Sequence, residues 1–178
     1  MQLETISLSN LDHVAAIHAA SWRSAYRGIL QDAFLDADLV ANRQALWTKR
    51  LTPNRADQFG YLAFDPVHNK ALGFVYAYAG ADPQWGTLAD NLHVMPECKG
   101  QGIGRSLLKA IAHHCQAANP SQGLYLWVYE RNTAAQQFYA ALGGQRGERI
   151  EVTVAGGGTA PEWRYSWASP AVLLERLG

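Results

Sequence analysis

The residues best suited to chemistry stand together at Lys99-Gly100-Gln101-Gly102-Ile103-Gly104-Arg105. Glycines at alternate positions strip the side chains from one turn. A ligand could then come close to bare backbone. A short apolar run, Leu92 to Met95, leads into the turn and Pro96 stops it. After the turn, Ile103, Leu107, Leu108, Ile111 and Cys115 recur at helical spacing. The reading is strand, glycine turn, helix. The first turn of a helix leaves N–H groups without intrahelical partners. Those donors and the helix dipole suit a phosphate or pyrophosphate. A Walker loop is excluded, because no Lys-Ser/Thr pair follows Gly104. A dinucleotide fingerprint begins at Gly100-Gln101-Gly102, but Arg105 stands where its third glycine belongs. The turn also comes after several strands, not in a first βαβ unit.

A glycine turn of the form [Q/R]-x-x-G-x-[G/A], after a strand ending V-x-P, resembles motif A of the GNAT acetyltransferases. Lys99 departs from that pattern: it keeps the charge of arginine but loses the planar fork. A second stretch, Asn132-Thr133-Ala134-Ala135-Gln136-Gln137-Phe138-Tyr139-Ala140-Ala141-Leu142-Gly143-Gly144, is similar to the family's N-x-x-A-x-x-F-Y-x-x-x-G-F ending. Gly144 stands where phenylalanine is usual. Ser21-Trp22-Arg23-Ser24-Ala25-Tyr26-Arg27-Gly28 is similar to a less specific segment of many bacterial members.

The resemblance implies an N-acetyltransferase that binds acetyl-coenzyme A and acetylates a primary amine of a small molecule or peptide. Direct attack in a ternary complex is the family's usual route. The backbone of Leu92, His93 and Val94 would pair with the pantetheine arm. Lys99, Gly100, Gln101, Gly102, Ile103, Gly104 and Arg105 would hold the pyrophosphate. Tyr139, at the family's usual tyrosine position, would protonate the departing sulfur, since a phenol of pKa about 10 keeps its proton at neutral pH. Asn132 is open to two roles, cofactor ligand and helix N-cap. Many relatives carry a glutamate near positions 88 and 89, where this chain has Leu88 and Ala89. Asp90 and His93 are the nearby candidates for the base. On a regular strand they would point to opposite faces, so only one would meet the acceptor. Trp22 and Tyr26, with Tyr76, Tyr78 and Trp85, are candidates to line the acceptor cleft. The competing reading, from another class, is a non-catalytic acyl-CoA-binding sensor; the absent glutamate keeps it open.

The elements that must position these groups follow from the hydrophobic pattern. Gln2–Ser7 reads as a strand and Asn10 as an N-cap for a helix reaching about Tyr26. A second helix is expected from about Leu35 to Leu51. Phe59–Phe64 and Ala71–Ala79 form a hairpin around Asp65-Pro66-Val67-His68-Asn69. Thr87–Val94 delivers the chain to the glycine turn. Gly123–Val128 is a strand, Asn132–Leu142 a helix, and Gln145–Val154 and Glu162–Trp167 are two last strands. The expectation is one α/β (α+β) domain over residues 1–178. It has a mixed, mostly antiparallel sheet of about seven strands flanked by about four helices.

Composition limits the partners. Of 178 residues, 15 are Lys or Arg and 15 Asp or Glu, so no net charge draws the chain to nucleic acid or an anionic membrane. No apolar run approaches the roughly 20 residues of a membrane span. No basic, then apolar leader opens the sequence, and Cys98 and Cys115 make no disulfide or metal framework, so a cytoplasmic setting is expected. The histidines show no ligand spacing, and no metal is expected. The resemblance leaves room for a homodimer.

Overall fold

The computed structural model describes residues 1–178. In chain order the elements are β1 (Gln2–Thr5), α1 (Leu11–Ala25), α2 (Asp32–Asp36), α3 (Leu39–Leu51), β2 (Gln58–Asp65), β3 (Lys70–Asp82), β4 (Gly86–Val94), α4 (Ile103–Ala118), β5 (Leu124–Tyr129), α5 (Thr133–Ala141), β6 (Gln145–Thr153), β7 (Thr159–Trp167) and α6 (Pro170–Leu177). The strands form one seven-stranded sheet in the order β1-β2-β3-β4-β5-β7-β6. Every neighbouring pair is antiparallel except β4 and β5, which run parallel.

Alternation along β3 sorts side chains to the two faces of the sheet. Phe74 and Tyr76 pack with Val14 and Ile17 of α1 and Trp47 of α3. Val75 and Ala77 pack with Leu107, Leu108 and Ile111 of α4. The positions spaced for one face of α4 are all buried, and α6 closes over them with Leu173 and Leu177. No helix is long and apolar enough to cross a membrane.

The helices differ from expectation in two places. The expected helix over 35–51 is two helices, α2 and α3. Asp38 separates them: its side chain accepts from the Ala41 N–H at 3.1 Å and starts α3 afresh. Helix α6 was not foreseen from the sequence. Pro170 in its first turn and Leu173 and Leu177 on its buried side are its signals. The helices therefore number six rather than about four. Asn10 does not cap α1 with its side chain. It clips the preceding turn instead, accepting from Ser7 N–H at 2.9 Å and donating to the Thr5 carbonyl at 3.0 Å.

Gly73 sets how closely α4 seats on the sheet. A Cβ there would lie 2.8 Å from the His93 carbonyl oxygen and 3.2 Å from Ile103 Cγ2. Gly73→Ala should therefore cost roughly 1–3 kcal/mol by overpacking. A thermal melt should fall by about 2–4 °C per kcal/mol lost. An unchanged melting temperature would contradict this seating of β3, β4 and α4.

Candidate functional site

Strands β4 and β5 pair only at their starts, through Thr87 with Leu124 and Leu88 with Tyr125. Beyond that they part. Asp90 is an extra residue in β4: Tyr76 pairs with Asn91 while the adjacent Ala77 pairs with Ala89. Such a bulge bends a strand and breaks its alternation. The gap between the strands is a cleft of about 900 Å³ whose walls come from α1, α3, β4, α4, β5, α5 and β7.

At one end lies the glycine turn. Gly100 and Gly102 have φ of +77° and +78°, and a Cβ at either would meet nothing within 4 Å. Lys99 N–H reaches the Pro96 carbonyl, and the next amide in the chain to find a backbone acceptor is Ser106, bonded to Gly102 at 3.0 Å. From Gly100 through Arg105 no backbone N–H is paired within the protein. Consecutive free amides at a helix start make an anion-binding nest. Lys99 is exposed beside it and makes no ion pair. The Arg105 side chain is turned away, donating to the Arg176 carbonyl at 2.7 Å. These features fit a pyrophosphate. Next to the nest, Leu92, His93 and Val94 pair with β3 on one side only.

Tyr139 of α5 lines the cleft, 8% exposed, with its ring 5.4 Å from Phe138 and 6.0 Å from Tyr165. Burial pushes its phenol above the usual value of 10.0. Asn132 caps α5, accepting from Ala135 N–H at 3.3 Å, and also lines the cleft, so its two roles are compatible.

The candidates for a base fare differently. Asp90 and His93 both line the cleft, because the bulge removes the strict alternation on which opposite faces were expected. Asp90 pairs with Arg50 at 2.8 Å. His93 is buried, with Nδ1 3.0 Å from Ser21 Oγ and its ring stacked 4.6 Å from His18. Burial, then the cations Lys99, Arg43 and Arg50, push it down to about 3. So weak a base is poorly matched to an ammonium proton. The sequence reading missed Glu162. It sits on β7 opposite Tyr129, half-buried, with no hydrogen bond or ion pair to its carboxylate, and lines the same cleft. Burial first, and Asp90 second, raise it to about 7. An acidic residue interrupting Pro161-Glu162-Trp163 was its only signal in the sequence.

Trp22 and Tyr26 line the cleft, with Tyr26 set edge-on to Tyr129 at 5.0 Å. The other aromatic candidates do not. Tyr76 is in the core, donating to Gln58 at 2.9 Å, and Tyr78 packs beside it. Trp85 lies under the Arg164 guanidinium at 3.7 Å.

An anion nest at the parted strands of a sheet with this order marks an acetyltransferase fold. The acetyltransferase (GNAT) family matches residues 16–143, and the chain belongs to that family. A probable N-acetyltransferase of Mycobacterium tuberculosis is 27% identical over 132 residues, 71% of this chain and 69% of that protein. An N-acetyltransferase of Bacillus subtilis is 23% identical over 159 residues, covering 84% and 83%. The crystal structure of PaiA N-acetyltransferase from Thermoplasma acidophilum in complex with coenzyme A superposes with a TM-score of 0.69 at 17% identity, covering 94% of this chain and all (100%) of that one.

The placement of Glu162 predicts a pH effect on stability. Its folded value of about 7 lies above the 4.5 of a free carboxyl. As pH rises the unfolded chain gives up this proton first. The group therefore lowers stability progressively across that window and fully above it. Glu162→Gln should melt higher than wild type near pH ~8 and match it near pH ~4. The variant-minus-wild-type difference is the measure, because His18 and His93, both lowered by burial, erode stability in acid for both proteins. Equal melts at the alkaline point would show that the carboxyl is not desolvated.

Proposed function

We propose that this chain, acting as a single domain, transfers the acetyl group of acetyl-CoA to a primary amine of a small molecule or peptide. The transfer is by direct attack in a ternary complex. The observation that carries the reading is the run of unpaired amides from Gly100 to Arg105, opening onto a one-sided β4 edge and then onto Tyr139. Acetyl-CoA supplies an activated acetyl thioester. The nest and Lys99 hold the pyrophosphate, and the free edge at Leu92–Val94 pairs with the amide-bearing arm. Asn132 can meet the same ligand with its uncommitted amide NH₂.

Proton handling falls to two groups whose protons the cleft holds more tightly than usual. Glu162, raised to about 7, is half ionised near neutrality and takes a proton from the amine, directly or through one water. Asp90 adds negative charge there but is tied to Arg50. Tyr139 keeps its proton until charge develops on sulfur, then donates it. The placement of Glu162 and Tyr139 in one cleft favours a catalyst over a sensor. We place the enzyme in the cytoplasm, where Cys98 and Cys115 stay reduced.

Two variants test this. Gly102→Asp puts a carboxylate into open space at a left-handed position, aimed where the pyrophosphate belongs. Gly104→Asp is less clean, because its Cβ would lie 3.4 Å from Phe138 Cζ. Folded Gly102→Asp should lose most acetyl-CoA affinity by calorimetry; wild-type affinity would remove the nest from the site. Tyr139→Phe keeps the ring and its packing. Turnover, read as thiol release, should fall by roughly 10²–10⁴-fold with acetyl-CoA affinity near wild type. Wild-type turnover in a folded Tyr139→Phe would assign the donation to another group or to water.

A further inference from the structure

The acceptor side of the cleft holds a cation that the reaction as proposed does not use. Arg43 of α3 is only 7% exposed. Its guanidinium lies 4.3 Å over the Trp22 ring. Its Nε and Nη2 both donate to the side-chain oxygen of Asn42, a neutral neighbour. No carboxylate pairs with it, whereas Arg50 nearby has Asp90. Its Nη1 finds no acceptor in the protein and is not sealed away from the cleft that Arg43 lines. Burial and then Arg50 push the guanidinium down to about 10, so it remains charged at neutral pH.

A buried, charged, incompletely bonded guanidinium is costly unless an anion joins it. Nothing else on this wall supplies one. Trp22 Nε1–H is buried without a partner. His18 receives the Trp47 Nε1–H on Nδ1 at 3.0 Å. Its Nδ1 is therefore the acceptor of a neutral ring, Nε2 carries the hydrogen, and that hydrogen too lacks a partner. This wall is rich in donors and poor in acceptors. The β7 wall is the reverse, with the unpaired carboxylate of Glu162, while Asp90 of β4 is already paired with Arg50 of α3. An aromatic floor joins the two: Trp22 lies 5.5 Å from Tyr26, and Tyr26 lies 5.0 Å from Tyr129, across the strand pair from Glu162.

We propose that the acceptor is an amine that also carries a carboxylate, and that Arg43 binds that carboxylate while the amine lies toward Glu162 and Tyr139. This rests on the acetyltransferase reading and names its substrate class. A polyamine meets a cation where it needs an anion. A plain alkylamine leaves Arg43 without its ion pair. Arg43 is a binding residue rather than a catalytic one, so its loss should act on acceptor affinity and KM before kcat.

The test uses glycine, γ-aminobutyrate and ε-aminohexanoate, each beside its carboxamide, with spermidine as the polycation. Binding to CoA-saturated protein is read by calorimetry, and acetylation by thiol release. At least one acid should bind about tenfold or more tightly than its amide, as expected for a hydrogen-bonded charge. Which acid wins gives the span from Arg43 to the reacting amine. Arg43→Gln should bring the acid-to-amide ratio close to one, and Arg43→Lys should restore part of it. The wild-type comparison decides the matter even if a variant fails to fold. No acid preference in wild type, tighter binding of spermidine than of every acid, or a preference that survives Arg43→Gln would overturn the proposal. Acid-selective binding without thiol release from any amine would overturn the acetyltransferase reading while leaving the carboxylate site standing. Release with acids and amides alike would do the reverse.

Discussion

The cleft depends on β4 and β5 being held together at one end and apart at the other. The closed end is clamped by glycine backbone. Thr87 N–H bonds the Gly123 carbonyl at 3.0 Å. A Cβ on Gly86 would lie 2.1 Å from that same oxygen, and one on Gly123 would lie 2.9 Å from the carbonyls of Trp85 and Trp167. Only bare backbone fits there. The open end is set by the bulge at Asp90, which turns β4 before it reaches Leu92. The gap falls between the carboxyl halves of two parallel strands joined through α4. That is where α/β sheets place their ligands. Helix α4 starts at this end, so its free amides face the gap without further arrangement.

Burial in the same low-polarity cleft pushes four of its groups in one direction, toward the neutral form. It lowers His18 and His93 and raises Tyr139 and Glu162. The consequences differ because the groups start from different values. A histidine pushed to about 3 is removed from chemistry at neutral pH and becomes packing, stacked on His18 and bonded to Ser21. A carboxyl pushed to about 7 is brought into chemistry. A phenol pushed up stays a donor. Desolvation, the largest cause in each case, thus sends these groups to different protonation behaviour, with neighbouring charges adding to it at His18, His93 and Glu162.

The glycine turn of the candidate site was legible in the sequence. A nest needs contiguous amides and contiguous glycines, so Gly100-Gln101-Gly102-Ile103-Gly104 declares itself in one stretch. The strand before it and the period of Ile103, Leu107, Leu108 and Ile111 after it are local patterns too. The sheet was legible for the same reason. Some departures also have local causes that pattern reading weighs poorly. One aspartate at position 38 splits a long helix, and one proline at position 170 starts a short one. The bulge was not legible, because β4 shows no irregularity until it is laid against β3. With the bulge unseen, the face assigned to Asp90 and His93 followed a regular alternation that the strand does not keep.

The acceptor side could not be read in this way, and the reason is geometric. Beyond Leu88, β4 has no neighbour on its β5 side, so groups facing the acyl position from there must come from elements that close the gap later in the chain. The strand order places β7 beside β5, and Glu162 at the height of Tyr129. Helix α3 brings Arg43 to the far wall from a segment with no motif at all. Searching for a base near the glycine turn therefore finds His93, which is close in sequence and lines the cleft but is buried against His18 and Ser21 and too weak a base. It passes over Glu162, which is distant in sequence but open to the cleft. Ligand contacts made by consecutive backbone are written along the chain. Contacts made by single side chains across a parted sheet are fixed only by the order in which the strands assemble.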